Sequence, residues 1–132
     1  MKKKFVILLL IIFNIGAYSQ KINQIKVVSA PLYTTSTFRI SCIDFDRNFT
    51  KLKRDFLIKD KNEIRQMKFF FSKFKTKKLS AIDVRAKLIV CYENKAINVI
   101  CMDEFGNFFR NNKFYENESL FNFLIQHKLI EY

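Results

Sequence analysis

Three cysteines, one histidine and a scatter of carboxylates are the side chains of this 132-residue sequence that could do covalent or acid–base chemistry. The single histidine, His127, excludes a two-histidine zinc motif, and no C-x-x-C occurs among Cys42, Cys91 and Cys101. A cysteine–histidine couple would need His127 beside an activated thiol. His127 stands between Gln126 and Lys128, whereas each cysteine sits in an apolar strand-like pattern. The cysteines therefore read as buried or bridged, packing as small apolar groups. The two glycines, Gly16 and Gly106, lie far apart, so no phosphate-cradling loop or serine nucleophile elbow can be built. Asp44-Phe45-Asp46-Arg47-Asn48 matches the first three ligand positions of a calcium loop. Phe49 occupies the position that needs glycine, and Asp55 the one that needs a bidentate glutamate. The segment is accordingly read as a strand end and turn. Asp83, Asp103 and Glu104 border predicted strands, and a small enzyme using such carboxylates is the weakest functional alternative. No catalytic, cofactor-binding or metal-binding residue is assigned.

Charge is the stronger signal. The chain carries 24 basic and 12 acidic residues, and between Lys51 and Lys78 eleven basic residues meet three acidic ones. Lys61, Arg65, Lys68, Lys73, Lys75, Lys77 and Lys78 form the candidate surface for an anionic partner. Such a surface suits an acidic protein, a headgroup layer or a polysaccharide. The phenylalanines interleaved with it could stack bases, but most fall at core spacing, which disfavours nucleic acid. Phe69 alone falls off the apolar stripe.

The elements that must carry these residues follow from periodicity. Ile25–Ser29, Ser36–Phe45 and Phe56–Ile58 read as strands, with Arg47-Asn48 a turn. Asp60 and Glu63 make a capping box ahead of a helix whose Ile64, Met67, Phe71 and Phe74 recur at spacings of three and four. Thr76-Lys77-Lys78 ends that helix. Val84–Glu93 and Ala96–Asp103 flank a two-residue turn at Asn94-Lys95; Gly106 supplies the positive φ of the next turn; Asn111-Asn112 closes a further hairpin. Asn117 caps a last helix running to about Leu129. The expected fold is α+β, an antiparallel sheet of five or six strands with two helices packed on one face, in the order strands, helix, meander, helix. Cys42-Ile43-Asp44 and Cys101-Met102-Asp103 each run on to Asn-Phe, an echo that turn composition explains.

Three cysteines allow one internal bridge at most. With a two-residue turn, Cys91 pairs with Asn98 and Cys101 with Leu88, which places Cys91 and Cys101 on opposite faces. The candidate disulfide is therefore Cys42–Cys101, with Cys91 a buried free thiol.

Lys2, Lys3 and Lys4 precede nine apolar residues, Phe5–Phe13, and Ala17-Tyr18-Ser19 offers small residues at a cut before Gln20. A spanning helix needs roughly 20 apolar residues. Met1–Ser19 is therefore expected to be a cleavable signal peptide and Gln20–Tyr132 a single domain, exported to the periplasm or beyond the cell, not membrane-spanning after cleavage. The lysine-rich start, the Ser-Gln junction and the run DVRAKLIVCYENKAINVICMDEFGNFF resemble small exported proteins of uncharacterised function from Bacteroidota. That resemblance implies a compartment and carries no functional residues. The functional expectation is a non-enzymatic binding domain, first for a protein partner, alternatively for an anionic surface through residues 51–78.

Overall fold

The computed structural model describes residues 20–132, so the expected signal peptide, Met1–Ser19, lies outside the described residues. The class is α+β, and the antiparallel sheet has seven strands rather than five or six. They are β1 (Ile22–Ser29), β2 (Arg54–Ile58), β3 (Lys75–Thr76), β4 (Ala86–Tyr92), β5 (Ile97–Met102), β6 (Asn107–Arg110) and β7 (Lys113–Glu116). Their order across the sheet is β2-β1-β4-β5-β6-β7-β3. The extra strand is β3: past the helix end the chain re-extends, and Lys75 and Thr76 pair with Glu116 and Tyr115. Three helices occur among the described residues instead of two, α1 (Phe45–Asn48), α2 (Lys61–Phe71) and α3 (Glu118–Gln126).

Strand alternation sorts the core into two layers. One face of the sheet presents Ile25, Val27, Leu88, Val90, Ile100, Met102 and Phe108, and α2 and α3 cover it through Met67, Leu120 and Leu124. Both longer helices thus pack on one face, as expected. Asp60 caps α2, its Oδ1 accepting from the backbone N–H of Asn62 and Glu63 at 2.9 and 3.0 Å. Asn117 caps α3 by accepting from Leu120 N–H at 3.0 Å, and its amide donates to Phe70 O at 2.7 Å, which ties the two helices together.

The second face is covered by the segment expected to be a strand. Residues 36–44 form no strand; they pass over the sheet and enter α1, which takes up Arg47-Asn48. Ile40, Phe45 and Phe49 drop onto Val28 and Cys101, while Phe38 points out at 60% exposure. Of the three residues expected on one side, only Ile40 and Cys42 turn inward, and they pack onto the sheet rather than pair within it. The physical reason is an anchor elsewhere in the chain. Ile40 bonds through its backbone to Asp83 Oδ1 and to Val84 N–H, and the Arg85 guanidinium holds Thr34 O and Ser36 Oγ.

The β4–β5 loop also differs from expectation. Tyr92 N–H donates to Ala96 O at 3.0 Å and Lys95 takes φ 67°, so three residues, Glu93–Lys95, turn the chain. The register moves by one: Cys91 faces Ile97 and Cys101 faces Lys87. Cys91 and Cys101 consequently share a face, contrary to the two-residue turn, and are kept apart by distance along the strands, about 13 Å at the usual rise. Gly106 has φ 78° and Asn111 and Asn112 have φ 51° and 59°, as their turns require.

Candidate binding surface

The seven basic residues singled out by charge do not form one surface. α2 carries Lys61, Arg65 and Lys68 along its outer side, where they line a groove of about 550 Å³ against the start of β1 together with Lys21, Lys59 and Glu93. Lys73, Lys75 and Lys77 lie past the helix end and line a second, wider cavity of about 880 Å³, closed by the β5–β6 turn and the start of α3. Lys78 is exposed and lines neither. The split arises because the chain leaves the helix at Ser72 and re-extends, turning the later lysines toward the β7 edge.

The two sites differ electrostatically. In the wider cavity Lys77 donates to Asn107 Oδ1 at 2.7 Å and lies 3.7 Å from Glu116, and Glu118 is also in the lining. In the groove, Glu93 is taken by Lys21 at 2.9 Å, whereas Lys59, Lys61 and Arg65 enter no ion pair within the described residues. Arg65 also borders an open apolar cleft of about 520 Å³ between α2 and α3, formed with Gln66, Phe69, Phe70, Phe123 and His127. The His127 ring lies tilted against Phe123, 4.1 Å between centroids, on the helix-covered side of the sheet. Cys91 alternates onto the other side, so histidine and free thiol are separated by the sheet.

Most acids are already engaged. Asp46 accepts from Lys87 at 2.8 Å and from Lys53 at 3.1 Å, and these bonds, the one to Lys87 foremost, hold its carboxyl below the usual carboxylate range. Asp44 is likewise lowered, by the Ser41 hydroxyl and then Arg47. The carboxylates of the calcium-like run are thus committed to hydroxyl and cationic partners. For Asp83, burial pushes the pKa up, but the Arg85 guanidinium and the Ile40 N–H outweigh it and leave the group lowered. Asp103 accepts from the N–H groups of Phe105 and Asn107 and so shapes the Gly106 turn. Asp83 and Asp103 are spent on structure. Among the described residues, no group of three or more His, Cys, Asp and Glu side chains could hold a metal ion.

Cys42 and Cys101 lie at disulfide distance, their Cα atoms 5.8 Å apart, and Cys91 is unpaired and half-buried rather than buried. The echo around Cys42 and Cys101 is no structural repeat: the first copy runs into α1 and the second into a β-turn.

One further surface was not anticipated. The layer over the second face covers the row Val28, Lys87 and Cys101 and reaches Ile89 in the next. On either side of Ile89 and in the row beyond, Gln24-Cys91-Ile97, the face is less covered, and Ile97, Leu57 and Val99 are 65%, 52% and 38% exposed. The strand pattern had placed Ile97 and Val99 with Cys101 on one side; how far a loop extends over that side is not encoded in alternation.

No protein-family model matches the chain, and no similar curated protein or solved structure was found. Among the described residues no helix is long and apolar enough to cross a membrane.

Proposed function

We propose that this chain is an exported, non-enzymatic binding domain that engages an anionic partner through α2 and its flanking groove. The observation that carries the reading is the separation of paired from unpaired charge. Asp44, Asp46, Asp55, Asp83, Glu93, Glu116 and Glu131 are each engaged by a basic side chain. The net positive excess therefore falls on side chains without such a partner, and Lys59, Lys61 and Arg65 cluster at one groove. A one-sided field of this kind attracts anions and is screened by salt. Retention on immobilised heparin tests the proposal. Binding should fall steeply with salt, since the Debye length shrinks to roughly 3 Å at 1 M. The double substitution Lys61→Gln, Arg65→Gln should move elution to markedly lower salt while circular dichroism stays unchanged. Elution unmoved by the substitutions would return α2 to an ordinary solvated face.

A protein partner on the bare half of the second sheet face is the other reading, favoured by the exposure of Ile97 and Leu57 in adjoining rows. Exposed apolar rows on a sheet commonly mark such contacts. Replacing Ile97 with Asp should abolish capture of that partner and leave heparin retention as it was.

A further inference from the structure

Resting on the anionic-partner reading, we infer that the partner is an anionic lipid bilayer, with α2 lying along the headgroup plane and Phe69 entering it. Lys61, Arg65 and Phe69 follow one another at intervals of four, so they stand one above another on a single helix face. That face points away from the core. Met67, two residues before Phe69 and on the opposite side of the wheel, is fully buried, whereas Phe69 is 57% exposed. Phe70 and Phe71 pack against the core and Phe69 does not. Its ring touches Phe70, at 5.8 Å between centroids, and carries the Lys73 ammonium 4.4 Å above it. The result is an outward-facing aromatic ring framed by Lys61 and Arg65 along the helix and by Lys73 just past its end, with the open apolar cleft of Phe70 and Phe123 beside it.

The frame and the ring together select the occupant. A soluble polyanion can satisfy Lys61 and Arg65 but offers nothing apolar to Phe69. The interface of an anionic bilayer offers both within the depth an amphipathic surface helix reaches, about 5–10 Å. Lysine and arginine gain from anionic headgroups, and a ring leaving water gains from the acyl boundary. The second sheet face offers no comparable cluster. Its cations near the second sheet face are held by acids, in Lys26–Asp55, Lys53–Asp46, Lys87–Asp46 and Arg85–Asp83.

The chain contains no tryptophan, so Phe69→Trp installs a single reporter on the proposed contact. Its emission should shift to the blue on adding phosphatidylglycerol vesicles and be quenched by brominated lipid, with neither effect on phosphatidylcholine vesicles. Ile43→Trp, on the opposite side of the molecule and 84% exposed, should report no change. Phe69→Ser should lower vesicle partitioning by about fivefold or more and leave heparin retention unaltered. The Lys61→Gln, Arg65→Gln pair should lower both. All proteins compared share one amino terminus, checked by intact mass, so any contribution of Met1–Ser19 cancels. A tryptophan at 69 that stays in water, or partitioning indifferent to Phe69→Ser, overturns the bilayer. Heparin retention without vesicle binding overturns the bilayer and leaves the anionic-partner reading standing. Failure to bind either removes both.

Discussion

Arg85 is 3% exposed, and all five of its N–H donors are used: two on Asp83, the others on Thr34 O, Val84 O and Ser36 Oγ. A lysine could supply the charge but not the planar fork, so Arg85→Lys should cost on the order of 2 kcal/mol. Hydrogen exchange should show the loss concentrated at residues 31–44. Paired carboxylates here and at Lys87 set an acid limit. Asp46 and Asp83 have folded pKa values below their unfolded ones. The stability they contribute is present above the ordinary carboxylate range, near 4, and is lost as pH falls through the lowered values. Acid unfolding followed by circular dichroism should therefore begin below about pH 4. Asp46→Asn should flatten that limb and lower stability at neutral pH, an acid limb unchanged by the substitution counting against the Lys87 bond. None of these long-range partnerships was legible beforehand. A buried arginine bonded to a carboxylate two positions earlier has no sequence signature distinct from an exposed one.

Elements were legible where a local rule acts and obscure where a distant contact acts. The Asp60 cap, the Asn117 cap and the Asn111-Asn112 hairpin all followed from side chains within a few residues. The Glu93–Lys95 loop did not, because a lysine at positive φ is not the residue such a turn advertises. Gly106 allows a sharper test. It combines φ 78° with a Cβ position 3.0 Å from Phe121 Cγ. Gly106→Ala must both strain the turn and displace the α3 side chain packed over it. A loss of about 1–2 kcal/mol is expected, measured by urea unfolding, with the Phe121 environment changed in the near-ultraviolet spectrum. A neutral result would mean that the β5–β6 turn is loose in solution.

At the scale of the molecule, the contact between Cys42 and Cys101 joins the covering layer to the middle of the sheet across 59 positions of chain. Closing a loop of that length stabilises by about 4 kcal/mol in the chain-entropy view. Non-reducing peptide mapping of the oxidised protein should recover a Cys42–Cys101 peptide, with Cys91 open to alkylation. Cys42→Ser should lower the unfolding midpoint and expose the layer of Ile40, Phe45 and Phe49. Recovery of Cys91 in a bridge to either partner would contradict the fold, since Cys91 lies four residues from the position facing Cys101.

The sequence by itself determined the α+β class, both longer helices with their caps, the short hairpins and the outward place of Phe69. Each of these depends on periodicity or on a side chain bonding to its neighbours, and both survive in one dimension. It also pointed to Cys42 and Cys101, though partly through a turn length that proved one residue short. Only the tertiary structure decided that residues 36–44 lie over the sheet, that Lys73, Lys75 and Lys77 part company with Lys61 and Arg65, and that half of one sheet face stays bare. Those outcomes depend on where the chain is anchored after it has turned. The anchor is set by Arg85, Asp83 and Ile40, which are far apart in the chain and meet only when the sheet has formed.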